Sequence, residues 1–305
     1  MKIFLKNISP FNNREDMKPA LFVIKKILAF WLCYIAGLFI AEGVAILLHF
    51  ALGKNMLAGD TFDSRTITLI TYYGYAIVIA VTMFYRKKIE KKSLSEMGLT
   101  KSAWSYFIGI LSAVLLIFIS VGAITFTGAI EYCGIFERKN WLAITLFCGG
   151  FIVQGTMEEL LCRGFLLHTL KDKVNLNIAV AVSTVMFIIP HCSSLFASEK
   201  IYGLIGVINL VLISVIFSLF TVRFKSIWAA CGLHSFWNFI LYSILGLNLS
   251  GNDENVTAVF NMQSVGENIQ NGGVYGIEAS IITAVVLGIF AILLWLCCVR
   301  KKKLD

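Results

Sequence analysis

Apolar residues run through most of this chain without the period-2 alternation of a half-buried strand, and short polar clusters interrupt them at intervals. Runs near the ~20 residues that cross a hydrocarbon core lie at about 27–51, 67–85, 104–127, 141–166, 176–192, 201–222, 226–246 and 279–299. Eight helices are predicted, and the fold class is all-α: a polytopic membrane helical bundle. The 176–192 run is short for a full span and contains Pro190, which predicts a broken or tilted helix.

The positions of Lys and Arg then orient the bundle. Lys2, Lys6, Arg14, Lys18, Lys25 and Lys26 precede the first run. Arg86, Lys87, Lys88, Lys91, Lys92 and Lys101 separate the second from the third. Lys171 and Lys173 follow the fourth, Arg223 and Lys225 the sixth, and Arg300 to Lys303 the last. On an eight-span path all of these fall on one side. The longest opposite loop, 247–278, carries Asp253, Glu254, Glu267 and Glu278 and no Lys or Arg. A multi-pass protein of the cell membrane with both termini cytoplasmic is expected. It would comprise a cytoplasmic segment 1–26, one membrane domain 27–299 and a basic tail 300–305. The basic leader lacks a clear A-x-A cleavage site, so the first run reads as a retained helix.

Composition agrees: 58% hydrophobic and 14% charged residues, with a mean hydropathy of +0.81, exclude an ordinary soluble domain. The net charge of +8 sits at the ends of apolar runs, not on one face, so it reports topology and no nucleic-acid partner. The eight cysteines show no C-x-x-C pair, and neither a disulfide framework nor a zinc cluster is signalled.

Three polar signatures sit inside the apolar runs: Glu158-Glu159-x-x-x-Arg163, Phe187-x-x-x-His191 and His234-x-x-x-Asn238. Ionisable groups at membrane depth cost roughly 2.5–3.5 kcal/mol each on insertion scales, so several in one bundle call for a compensating role. At 100° per residue, Glu159 and Arg163 lie about 40° apart on one helix face and Glu158 points elsewhere. Glu159 is expected to pair with Arg163 as structural support, which leaves Glu158 as the free carboxylate, suited to a general base. These residues alone serve equally well as an ion-pair cross-link between helices. If the fourth and fifth runs form a hairpin near Lys171 to Asn177, Glu158 and His191 lie about 15 residues on either side of the turn and hence level. His234 lies about nine residues into the seventh run, with Asn238 one turn further on the same face.

Peptide hydrolysis needs a base for water, a group to hold that water, and donors for the oxygen that becomes negative. Glu158 and His191 suit the first two tasks, and His234 and Asn238 the third. Marks of other intramembrane hydrolases are absent: no H-E-x-x-H, no Asp within a predicted run, and no G-x-S-x-G. Gln154, four residues before Glu158, is placed to hydrogen-bond it, with an ordinary interhelical contact as the plainer role. Glu42 and Asn209 are further polar residues that would face a cavity or bond between helices.

At Glu158-Glu159-Leu160-Leu161-Cys162-Arg163-Gly164, Phe187-Ile188-Ile189-Pro190-His191 and His234-Ser235-Phe236-Trp237-Asn238, the chain resembles the CAAX protease and bacteriocin-processing (CPBP or Abi) family of intramembrane endopeptidases. The resemblance covers approximately 140–245. It implies a cytosol-facing cavity and cleavage of a membrane-anchored peptide or protein near the bilayer, with Glu158 and His191 activating water and His234 and Asn238 forming the oxyanion site. Cys162 departs from the aromatic residue that many members carry before Arg-Gly. The family has also been described as metalloproteases, and a Glu with two His suits zinc if the helices bring them within ligand reach. No cofactor is favoured, because Asn238 is a poor zinc ligand and a good oxyanion donor. Two other classes fit the same residues: a non-catalytic bacteriocin self-immunity or scaffold protein, and a proton-coupled transporter, for which no repeat of broken helices is seen.

Overall fold

A computed structural model of the 305-residue chain describes residues 8–251 and 258–302. Lys2, Lys6, Asp253, Glu254 and positions 303–305, which entered the topology argument, lie outside the described residues. The long helices are α1 (Pro19–Ala51), α2 (Ser64–Phe84), α3 (Ala103–Phe126) and α4 (Trp141–Glu159), the last of which runs on to Leu170 through a π-helical stretch, Leu160–Leu167. There follow α5 (Leu176–Ile188), α6 (Cys192–Ala197), α7 (Lys200–Phe224), α8 (Trp228–Phe239, prolonged by a π-helical turn Ile240–Leu245) and α9 (Ile281–Lys302). A 3-10 turn, Ile189–His191, joins α5 to α6 around Pro190, the irregularity predicted for that run.

Seven of these helical stretches, with α5 and α6 counted as one, are long and apolar enough to cross a membrane, which defines a multi-pass membrane protein. The eighth expected span, over 226–246, falls outside that set. It nonetheless traverses the bundle as α8 and its π turn. His234, Ser235 and Asn238 lower its hydropathy, and all three are buried against neighbouring helices. A helix enclosed by protein need not be uniformly apolar, whereas lipid-facing α1 and α9 carry exposed Phe39, Leu47, Ile289 and Ile292.

Small residues set the closest approaches. A Cβ on Gly109 of α3 would collide with the Ala229 carbonyl, and one on Gly232 of α8 with the Tyr106 carbonyl, so these two helices pack backbone to backbone. Gly155 of α4 does the same for α8 from the other side, since a Cβ there would lie 2.7 Å from Ser235 Oγ. In this way α8 is held between α3 and α4 at a fixed height and rotation.

The two ends of the bundle differ. At one end the basic connections come together. Lys26 and Arg86 both pair with Glu90 at 2.5 Å, Lys92 pairs with Glu15 at 2.6 Å, and Trp228 Nε1 donates to the Thr100 carbonyl at 2.6 Å. Lys25 and Lys26 are buried inside α1, which therefore begins at Pro19, earlier than the apolar run. The segment before α1 folds back onto this end, where Lys25 Nζ donates to Asn12 Oδ1 and Tyr85 donates to the Pro10 carbonyl. At the opposite end a short antiparallel pair, β1 (Ile130–Ile135) with β2 (Phe260–Ser264), joins the α3–α4 and α8–α9 connections, with Ile130 opposite Ser264 and a register shift between Tyr132 and Ile135.

Candidate active site

The deepest polar layer is built on Glu159, which is fully buried. Its Oε1 accepts from Arg163 Nη1 at 3.0 Å and from His234 Nδ1 at 3.0 Å. The Glu159–Arg163 pair is the one that helical spacing predicted. Arg163 has further partners: Nη2 donates to the Ser214 hydroxyl at 2.7 Å and to its carbonyl at 3.3 Å, while the guanidinium lies 4.6 Å from the Phe187 ring centroid and 4.9 Å from that of Phe217. Two aromatic faces and a carboxylate replace the water that a buried guanidinium loses. The His234 ring stacks on Phe217 at 5.1 Å, so its orientation is fixed from two directions.

The second layer faces the cavity. Each histidine is pinned through Nδ1, His234 by the Glu159 carboxylate and His191 by the Phe187 carbonyl at 2.8 Å. Both of these partners are acceptors, so Nδ1 carries hydrogen in each ring and Nε2 is the atom presented to the site. The two Nε2 atoms lie 3.9 Å (His191) and 4.0 Å (His234) from Glu158 Oε2. That is beyond direct hydrogen bonding and within the reach of one water contacting all three. The other Glu158 oxygen accepts from Gln154 Nε2 at 2.7 Å, and Gln154 Oε1 accepts from Asn238 Nδ2 at 2.9 Å. The predicted site residues Glu158, His191, His234 and Asn238 thus meet in one cluster, drawn from α4, the turn after α5, and α8. Gln154 links its two halves. Spacing indicated the Gln154–Glu158 bond, but nothing in the sequence indicated the bond to Asn238 or the role of Ser214.

A cavity of about 450 Å³, within the range of small-ligand sites, is lined by Gln154, His191, His234 and Asn238 together with Tyr72, Phe187 and Trp237. Glu158 does not line it; it faces a narrower space beside Tyr34 and Pro190 that shares Tyr75 and Phe187 with the main cavity. Asn209 lines the main cavity. Glu42 does not; it lies in a separate groove between α1 and α2 that meets the cavity at Tyr75. The cavity extends to Leu249–Gly251 and Glu278, at the end opposite the basic connections. The orientation drawn from Lys and Arg would turn that end outward, whereas the resemblance implies a cavity facing the cytosol. The fold cannot satisfy both expectations.

The donor types suit zinc, but their placement does not. Ligands about 2.0–2.1 Å from a tetrahedral metal stand roughly 3.3 Å apart, closer than the 3.9 and 4.0 Å seen here. Among the described residues no group of three or more His, Cys, Asp or Glu is spaced to hold a metal ion.

A multi-pass helical bundle with carboxylate, imidazole and amide groups converging on a cavity inside its membrane-spanning part has the layout of an intramembrane hydrolase. Residues 139–240, about a third of the chain, match the family model described as type II CAAX prenyl endopeptidase Rce1-like, and this segment holds the three motifs that carry the resemblance to the CAAX protease family. No curated protein and no solved structure matches the chain significantly.

Proposed function

We propose that the protein hydrolyses a peptide bond of a membrane-anchored peptide or protein, with Glu158 as the base that activates water. The observation that carries this reading is the convergence of Glu158 Oε2 with the Nε2 atoms of His191 and His234, the two histidines that line the main cavity. Water between these atoms gives a proton to Glu158 and is held by His191 Nε2, which accepts in the tautomer that Phe187 imposes. The hydroxide adds to the carbonyl carbon, and Glu158 passes the proton to the departing amine. The developing oxyanion is met by the second N–H of the Asn238 amide, whose first is held by Gln154, and by Nε2–H of a doubly protonated His234. In that state Glu158 and Glu159 are balanced by Arg163 and His234, which keeps the buried cluster neutral.

The prenyl-protein class named by the matched family is the first substrate class to try. Purified protein in lipid should be incubated with membrane-anchored peptides, prenylated C-A-A-X peptides among them, and compared with Glu158→Ala. Cleavage at one bond by the wild type alone is expected. An immunity or scaffold protein would leave every peptide intact while still binding one of them.

A further inference from the structure

Glu278 lies outside the segment that matches the family and belongs to neither layer of the cluster, yet it lines the same cavity. It is held there firmly. Ser250 N–H and the Ser250 hydroxyl both donate to Glu278 Oε2, each at 2.7 Å, while the Asn209 amide donates to the Glu278 carbonyl at 2.9 Å and the Ser280 carbonyl at 3.0 Å. Both Ser250 donors use one oxygen, and among the described residues Oε1 has no hydrogen-bond partner. A loop latch would need only a neutral acceptor, which an amide would supply. The negative charge is surplus to that task.

The surroundings accentuate the surplus. Asn209 is 3% exposed, and both Asn209 Oδ1 and the fully buried Thr283 Oγ1 lack partners among the described residues. Asn209, Ser250, Glu278 and Thr283 all line the cavity. Lys and Arg are absent from that lining, and the 247–278 connection contains neither. This end of the cavity therefore presents a fixed carboxylate to whatever occupies it, with walls of low dielectric that strengthen its field.

We infer that Glu278, with Asn209 and Ser250 as its supports, forms a specificity subsite for a positively charged group of the substrate peptide, an ammonium or guanidinium. The inference rests on the peptidase reading and adds the charge class of the substrate. The negative end of the cavity would draw a basic peptide in, and the ion pair with Oε1 would set how far the chain advances toward Glu158. Glu278 is thus a binding residue and takes no part in bond cleavage.

The test uses anchored peptides that are identical except for Lys or its uncharged isostere norleucine at successive positions around the scissile bond, each with a free or an acetylated N-terminus. The wild type should favour Lys at one position by at least tenfold in KM, with little change in kcat. Glu278→Gln, which keeps an acceptor for Ser250, should abolish that preference by raising KM for the Lys peptide to that of the norleucine peptide. Glu278→Lys should favour a Glu peptide instead. A preference that follows the free N-terminus and not the side chain would identify the α-ammonium as the bound group. Equal KM for charged and neutral peptides in the wild type, or a preference that survives Glu278→Gln, would overturn the inference. Binding of the same labelled peptides to Glu158→Gln, measured by fluorescence anisotropy, separates the two claims: charge-selective binding without any turnover in the wild type would count against the peptidase reading alone.

Discussion

Replacing Glu159 and Glu158 by Gln, one at a time, asks whether two adjacent carboxylates do different work. Glu159 is fully buried and its Oε1 receives both Arg163 and His234 at 3.0 Å, so Gln there takes the counter-charge from a guanidinium that has no access to water. Breaking a buried ion pair from one side costs about 3–5 kcal/mol. Arg163 keeps Ser214 and the faces of Phe187 and Phe217, which argues for the lower end, about 3 kcal/mol. Glu158 is different: its side chain is 18% exposed, and its one short hydrogen bond, from Gln154, can be kept by the carbonyl of Gln. The cost there is about 1 kcal/mol or less. For a chain of this size about 2 °C accompanies each kcal/mol, so Glu159→Gln should lower the thermal midpoint in detergent by roughly 6 °C and Glu158→Gln by about 2 °C at most. Turnover should follow the opposite order, with Glu158→Gln inactive although folded. Equal midpoints for the two variants, or residual turnover in Glu158→Gln close to that of wild type, would refute the division of labour.

Asn238→Ala should lower kcat by about 10²–10³ with KM little changed, as expected for loss of an oxyanion donor, and single-turnover kinetics would show it. Extensive chelation should leave activity unchanged; stoichiometric zinc whose removal and return switch activity off and on would overturn the proposed chemistry and leave the site where it is. Reporter fusions after Lys92 and after Asn261 should lie on opposite sides of the membrane, and the side reported after Asn261 is the side to which the cavity extends. The N-terminal segment should become susceptible to protease in acid. Burial alone would raise the Glu15 carboxyl, but its 2.6 Å pair with Lys92 and the nearby Lys26 charge prevail and hold it below its usual 4.5, so its stabilisation is present at neutral pH and lost as pH falls through that depressed value. Glu15→Gln should show the same susceptibility at pH 7, and an equally resistant variant would refute the role of that pair.

Hydrophobic runs and helical period were enough to determine the elements and the local pairs. The runs at 67–85, 104–127 and 201–222 became Ser64–Phe84, Ala103–Phe126 and Lys200–Phe224, because apolar length is what a bilayer selects. The Glu159–Arg163 pair follows from i,i+4 spacing, and the level heights of Glu158 and His191 follow from the rise per residue in a hairpin. Tertiary packing decided the rest. That His234 touches Glu159 through Nδ1 and faces Glu158 through Nε2 depends on how far α8 is rotated and how closely it approaches α4, which is governed by the absence of a side chain at Gly155 opposite Ser235. The Gln154 bridge to Asn238, the Ser214 support of Arg163, the burial of Lys25 and Lys26 within α1, and the placing of Glu278 in the cavity all join residues far apart in the chain. Hydropathy records how well each segment suits lipid; it carries no information about which faces of two helices meet, since that depends on the shapes of both surfaces at once.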